Sequence, residues 1–451
     1  MRKELIFEKA GEVRFGKIVK FIIPTYLTAL FTTLYTIVDG IFVSAYVGTD
    51  ALAAVNIVYP MINILTGTAL IFAVGGSSWA AIYLGRKENE TANQLFMFCV
   101  KVNLAVGIFI SVIIWLCLHE ILQFSGATRV TEEYCEIYIK IWLAGTAAVM
   151  LKEVFVYFIR ADGRPGYSFA ISAAGGILNI ILDYIFVGKM ALGIWGAGVA
   201  TILGLLLSTV LGILYFVKFS TNLRFTMCRI RWKFLLPCIG NGSSEFINQI
   251  AIAITTVVFN KTALSYAGDD GVAAVSIIMY VQFIFLGIYT GYSMGISPLL
   301  GYNYGNKNRE VCRKLENISY KFLCGIPAVL YAAAFLLAPF AVACFAGKGS
   351  YVYDLGVRGV RIYSIGYFFA GISIFTAVRF TSYGKGQYAA IITALRSFLL
   401  LLVFLFILPG LFGMDGIWMS VPSAEAVTVT VTIIMVLSEP GKHRNVWKCA
   451  K

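Results

Sequence analysis

Histidine is nearly absent from this chain: His119 and His443 are the two copies in 451 residues, one in a connector and one in the tail. Nine cysteines (99, 117, 135, 228, 238, 312, 324, 344 and 449) are scattered with no CxxC pair. Neither a zinc site nor a disulfide framework is indicated, which argues against a zinc or haem enzyme. No Ser–His arrangement or appended soluble domain supports another enzyme class or a receptor, and no cofactor is expected. Charge is scarce too. Charged residues make up 13% of the chain, about half the share of an ordinary soluble domain. A cleavable signal peptide is also missing, because the first 17 residues are of mixed charge and the first apolar run is far longer than a signal h-region.

What is abundant is apolar sequence. Hydrophobic residues reach 59%, and the runs repeatedly extend to about 20 residues or more, enough to cross a bilayer core of roughly 30 Å. They do not alternate in polarity as barrel strands do. The expected fold is all-α, a polytopic membrane protein with twelve spans near 18–46, 51–84, 92–117, 134–158, 167–187, 193–217, 235–263, 272–299, 317–343, 355–378, 387–409 and 416–437. The net charge of +13 is not a nucleic-acid footprint, because the cations lie mostly between the spans. With the N-terminus cytoplasmic, 26 Lys and Arg fall inside and 7 outside, as the positive-inside rule requires. An even number of spans then puts both termini in the cytoplasm. A single chain of this size encloses a cavity by itself, so a monomer is expected to suffice.

The longest polar connector, 218–234, divides the chain into an N-terminal half (1–217) and a C-terminal half with a basic tail (235–451). The halves are related. ALAAVNIV at 51–58 aligns with GVAAVSII at 271–278, an offset of 220, and GRKENETANQLF at 85–96 falls on GNKNREVCRKLE at 305–316. ADGRPGY at 161–167 matches SYGKGQY at 382–388, a slip of one residue, and Gly196 matches Gly416. Six spans per repeat give both halves the same orientation, hence a pseudo-two-fold axis along the membrane normal, with the site near the midplane at or beside the repeat interface.

Two lone carboxylates mark the N-terminal half. Asp39 and Asp183 each lie 19 residues past a basic residue, Lys20 and Arg164, on spans running the same way. At 1.5 Å per residue they should share one height. Asn179 stacks one turn from Asp183, and Thr201 reaches a comparable level from the next span. A charge inside a membrane helix is a functional hypothesis by default. Carboxylate, amide and hydroxyl oxygens suit a hard cation such as Na⁺, while paired buried carboxylates permit H⁺ coupling instead; the sequence leaves both open. Pro24 makes the first span the candidate bending element, and Tyr35, one turn from Asp39, is a candidate lining residue. The C-terminal half carries Glu245, Arg396 and Glu425. Arg396 and Glu425 stand at similar depth on adjacent antiparallel spans, which predicts an Arg396–carboxylate pair. The repeat offset puts Phe259, Leu399 and Val403 (or Leu400 and Phe404) opposite the acids, so cation coupling should be one-sided. Gln249, Gln282 and Asn260 are candidates for the cavity of the second half.

These residues carry a resemblance. Pro24, VDGIFVSAYVGTDALAAVNIVYP (38–60), GGSSWAAIYLGRKEN (75–89), RADGRPGYSF (160–169), NIILDYIFV (179–187) and GAGVAT (196–201) resemble the multidrug and toxic compound extrusion (MATE) family. GYNYGNKNR (301–309) and MDGIWMSVPSAE (414–425) resemble its C-terminal half, nearest the MepA-like branch. The resemblance covers about 15–440. It implies two six-helix lobes that alternate between inward- and outward-open. It also implies export of organic cations across a bacterial cytoplasmic membrane, driven by inward Na⁺ or H⁺. The family's N-lobe cation site uses an aspartate in span 1, an Asn and an Asp one turn apart in span 5 and a Thr in span 6, which match Asp39, Asn179, Asp183 and Thr201. A flippase for lipid-linked sugars or polysaccharides in the same superfamily is the alternative; it would want a cationic groove for pyrophosphate, and the acids of the N-terminal spans disfavour it.

Overall fold

The computed structural model describes residues 10–125, 127–128, 130–226 and 229–438. The terminal cations Arg2, Lys3, Lys9, Lys442, Arg444, Lys448 and Lys451 lie outside the described residues, as do Arg129, Cys228, His443 and Cys449. Among the described residues there is no strand.

Among the described residues ten helices are long and apolar enough to cross a membrane. One, Trp232–Gly305, has 74 residues, about 110 Å at 1.5 Å per residue against a core of roughly 30 Å. It is two crossings folded at Ala267 and Gly268, whose φ/ψ of −140/16° and 59/−148° leave the helical region. A bent pair, Glu132–Ala144 and Thr146–Ala161 at 55°, forms a further crossing. The twelve crossings are therefore span 1 (Phe15–Val47), span 2 (Asp50–Gly85), span 3 (Asn89–Leu116), span 4 (the bent pair), span 5 (Pro165–Lys189), span 6 (Gly193–Phe219), span 7 (232–266), span 8 (269–305), span 9 (Arg309–Ala343), span 10 (Tyr351–Ser382), span 11 (Gly386–Phe412) and span 12 (Met414–Leu437). The connector expected to hold His119 contains a short helix, Leu118–Phe124, and His119 Nδ1 meets Glu132 at 2.9 Å.

The duplication is written in the backbone. Left-handed residues recur at Gly48 and Gly268, Lys87 and Lys307, Gly193 and Gly413, each pair 220 apart. Gly163 and Gly384 are 221 apart, the same slip of one that the sequence shows there. At the two lysine turns the following amide closes the helix end identically, Glu88 N–H to Tyr83 O at 2.9 Å and Asn308 N–H to Asn303 O at 3.0 Å. A non-glycine residue at positive φ is uncommon, so its recurrence at equivalent positions reflects one ancestral turn.

The two lobes meet through span 2 against spans 7 and 8. A Cβ on Gly85 would lie 2.0 Å from Tyr302 O, and one on Gly305 would lie 2.1 Å from Ile82 O. These two contacts exchange under the 220-residue offset, so the pseudo-two-fold axis passes between them. Gly75 on Cys238 O (2.2 Å) and Gly242 on Ile71 O (2.1 Å) continue the seam, and Cys99 and Cys238 bring their Sγ atoms to 3.9 Å across it. All of this lies toward the face that carries the connectors with Arg86, Lys87, Lys307 and Lys385, called here the basic face. Close backbone approach seals the lobes there. The outer surface is apolar at, for example, Leu116, Leu336 and Phe406 (72–74% exposed), the belt that faces lipid.

Candidate functional site

Spans 1, 5 and 6 converge because their contact positions are small. A Cβ on Gly175 would meet Ser208 Oγ at 2.1 Å and Gly204 O at 2.4 Å, and one on Gly176 would meet the Phe31 and Tyr35 rings at 2.6 and 2.8 Å. Above this seam stand the expected residues. Asn179 and Asp183 are 2% and 0% exposed. Asn179 Nδ2 reaches Thr201 Oγ1 at 3.5 Å, and Thr201 in turn donates to Ala197 O at 3.0 Å. Asp39 and Asp183 lie within electrostatic range of one another, and Asn179 stands beside Asp183. Wide π-helical turns follow both acids, at Val43–Val47 and Tyr184–Lys189, a feature frequent at functional sites.

The electrostatic state of this cluster is unusual. Both Asp183 oxygens, Asp39 Oδ1 and Asn179 Oδ1 are buried without a hydrogen-bond donor. Buried polar groups are nearly always paired, and a buried charge left alone costs several kcal/mol. Four orphan oxygens from three residues of one lobe make a set with the chemistry to accept a cation: a proton shared between the carboxyls, or a hard metal ion.

The second half contributes a different site. A cavity of about 830 Å³ lies between the lobes, walled by Tyr26, Leu30, Thr33 and Ile37 of span 1 and by Gln249, Thr255, Phe259, Gln282 and Phe345 across from them. Glu245, Asn248, Arg396 and Glu425 also line it. It runs from mid-membrane toward the face opposite the basic connectors. Arg396 Nε meets Glu425 Oε1 at 2.6 Å, the pair that its depth predicted, and Arg396 sits in a π-helical turn at Leu395–Leu399. Among the described residues no cation pairs with Glu245. A smaller polar annex of about 90 Å³ joins Glu245 and Arg396 to Tyr157, Arg160 and a set of serines.

Two expectations about the cavity need correction, those for Tyr35 and Asn260. Tyr35 does not line it; the close approach at Gly176 turns the ring into the N-lobe, where it shares a pocket with Asn179 and Thr201. Pro24 and Asn260 are not among the lining residues either. Around Pro24, the candidate bending element, span 1 runs as continuous helix, with Thr28 donating to its carbonyl at 2.8 Å. Asn260 adjoins the lining residue Phe259 but projects from another face of the helix. The repeat counterparts of the acids behave as expected: Phe259 is buried, and Leu399 and Val403 are half exposed to lipid.

Sequence reasoning missed several polar residues. Lys152 and Glu153 pair at 2.6 Å inside span 4, and Lys152 opens onto the N-lobe pocket; the adjacent opposite charges in an apolar run were the readable signal. Tyr138, 3% exposed, lies within electrostatic range of Asp39 and Asp183, and nothing in its sequence neighbourhood marks it. Glu316 and Arg379 are both 2% exposed and meet at 2.8 Å, with the Tyr383 hydroxyl donating to the same carboxylate at 2.5 Å. Their place near span ends disguised them as topology markers.

Comparison with known proteins agrees with this architecture. The multidrug export protein MepA of Staphylococcus saprophyticus is 24% identical over 439 residues, covering 95% of this chain and 94% of its own length. Among solved structures, a MATE protein in complex with MaL6 superposes with a TM-score of 0.88 at 22% identity, covering 93% of this chain and 94% of that one. An outward-facing multidrug resistance MATE family transporter of the MOP superfamily superposes at 0.87 with 23% identity, covering 93% and 94%. The family signature described as MatE matches twice, over residues 24–185 and 246–407, once in each half at an offset close to that of the repeat. Matched over more than two thirds of its length, this twelve-helix membrane protein belongs to the MatE family.

Proposed function

We propose that the chain exports cationic amphiphilic compounds across a bacterial cytoplasmic membrane by cation-coupled antiport, its basic face and both termini in the cytoplasm. The observation that carries this reading is the cluster of orphan oxygens on Asp39, Asn179 and Asp183. Such a cluster is costly when vacant and loses one unit of negative charge when it holds H⁺ or Na⁺, so occupancy changes the energy of the lobe that contains it. An ion drives a conformational change only through different affinities in the two arrangements. With the basic face closed, ions from outside reach the acids while the central cavity faces the same side. Their binding weakens the hold on an organic cation, which leaves outward; the ion then departs from the inward-open arrangement.

The cavity suits this guest. Its walls are mainly apolar, and Glu245 offers an unpaired carboxylate beside the amides of Asn248 and Gln249. Arg160 and Arg396 reach its floor, but Glu245 and Glu425 offset them. It therefore lacks the cationic excess that a lipid-linked pyrophosphate requires, which disfavours a flippase. One chain supplies both sites, so a monomer suffices. The test is efflux of a fluorescent dye cation from energised cells expressing Asp39→Asn or Asp183→Asn. Both variants should lose at least about tenfold in rate, the scale set by one uncompensated interaction of about 1.4 kcal/mol. Full activity in either would remove that acid from the mechanism.

A further inference from the structure

Below the acid cluster, toward the basic face, spans 1, 4, 5 and 6 enclose a cavity of about 10 Å³, the size of one water. Asn179 and Thr201 form its upper wall, and Lys152, Ser172 and Ser208 its lower one. Two buried oxygens of its walls, Ser172 Oγ and Asn179 Oδ1, have no hydrogen-bond partner. Ser172 and Asn179 are 5% and 2% exposed, so these atoms mark a polar throat and not a packing defect. Lys152 is nine residues from the end of its helix at Ala161, about 14 Å above the basic connectors, and Asn179 is 14 residues past Pro165, about 21 Å above them. The lysine thus stands between the acids and the basic face. Lys152 lines the throat, whereas Glu153, whose carboxylate is 2.6 Å from Nζ, does not.

We propose that Lys152 is a fixed charge barrier that keeps the coupling cation from leaking through the N-lobe toward the basic face while Asp39 and Asp183 hold it. A proton or Na⁺ leaving the acids downward would have to pass an ammonium in a space one water wide, and like charges at such range in a partly buried site repel strongly. The barrier forces the ion to wait for the lobes to rearrange, which is the condition for tight coupling. Glu153 offsets part of the charge from behind, so that a lysine is tolerated at this depth. The inference rests on the antiport reading and adds to it a residue that acts on leakage and not on ion binding.

The experiment uses the purified full chain in liposomes. Na⁺ and H⁺ entry are measured without organic substrate (the leak) and with a dye cation gradient (the coupled flux). Lys152→Gln should raise the leak roughly tenfold and reduce the number of dye molecules moved per ion. Lys152→Arg should restore tightness, because it keeps the charge. Glu153→Gln leaves the ammonium unopposed and should leak no more than the unmodified chain. A Lys152→Gln protein as tight as the unmodified chain overturns the proposal, as does a Lys152→Arg protein as leaky as Lys152→Gln. Should Lys152→Gln fail to reach the membrane, a leaky Glu153→Gln overturns it alone. An unmodified chain without dye-driven cation flux overturns the antiport reading together with this inference; an unmodified chain that couples, beside a tight Lys152→Gln, overturns this inference only.

Discussion

Replacing Gly85 by alanine tests whether the seam at the basic face exists in one conformer only. The new Cβ would lie 2.0 Å from Tyr302 O and 2.9 Å from both Tyr302 C and Asn306 N. All three are backbone atoms at a helix end, so no side chain can swing aside. Restoring an ordinary contact needs a retreat of more than about 1 Å, and overpacking on this scale costs about 1–3 kcal/mol. If spans 2 and 8 part when the basic face opens, the cost falls only on the closed conformer. The equilibrium then moves toward the open one by about 5–150-fold. Gly305→Ala, with its Cβ 2.1 Å from Ile82 O, should reproduce the effect because the two contacts are related by the repeat. Gly325→Ala, where nothing lies within 4 Å, should do nothing. Cys99 and Cys238 supply the assay: their sulfurs stand 3.9 Å apart on the two sides of the seam. Oxidative cross-linking, with the linked peptides identified by mass spectrometry, should be fast in the unmodified chain and in Gly325→Ala, and slowed at least about fivefold in the two seam variants. Equal cross-linking in all four proteins would refute the claim that these glycines are where the lobes separate.

Three further outcomes are expected. Arg396→Met leaves Glu425 buried and unpaired, 5% exposed with Oε2 already without a donor. It should cost about 3–5 kcal/mol and lower the thermal midpoint in detergent, whereas Arg396→Met with Glu425→Gln should recover most of the loss; an undisturbed midpoint in the single variant would show that the pair carries no structural role. Asp162 accepts from the Tyr215 hydroxyl at 2.6 Å, from Ser220 Oγ at 2.9 Å and from the amides of Thr221, Asn222 and Leu223 at 3.1–3.3 Å. Asp162→Ala should therefore free the start of the inter-lobe connector, at about 1–3 kcal/mol for the orphaned donors, and speed proteolytic nicking near 220–226 several-fold; unchanged nicking would sink that account. Tyr138→Phe removes a buried hydroxyl within electrostatic range of Asp39 and Asp183 and should shift the Na⁺ or H⁺ concentration for half-maximal dye release while leaving dye affinity alone, as measured by titrating release against each ion.

What the sequence revealed depended on how local the cause was. Asp39, Asp183 and Arg396 were legible because a charge in an apolar run is an energetic anomaly whatever surrounds it, and the height of each follows from a fixed rise per residue. The twelve crossings were legible for the same reason. The fold at Ala267–Gly268 and the bend at Gly145 kept the number of crossings that hydropathy gave while changing how the helices run. Residues whose role comes from the neighbour they face were not legible. Tyr138 matters because span 4 bends at Gly145, where a Cβ would meet Ile202 at 2.4 Å, and brings its upper half against spans 2 and 6. Tyr35 was assigned to the wrong compartment because the direction of its ring is set by Gly176, a residue on another helix.

The duplication separates scaffold from chemistry. The left-handed turns at 48/268, 87/307 and 193/413 keep one backbone plan in both lobes, and the glycine contacts at 85 and 305 keep one seam. A turn or a seam is disrupted in both halves by the same substitutions, so both copies retain it. The charged residues obey no such symmetry: acids without donors in one lobe, an acid bound to arginine in the other, and apolar Phe259 where the first lobe has Asp39. In the proposed antiport, a cation entering the first lobe would therefore change the charge of that lobe alone. In a pair of lobes that share one seam, an unequal change of this kind biases their relative arrangement. Two identical acid clusters would titrate together, drawing twice the ions for one movement of the same seam. On the proposed mechanism, divergence of the copies would let a single occupied site act on a rearrangement that the whole duplicated scaffold carries out.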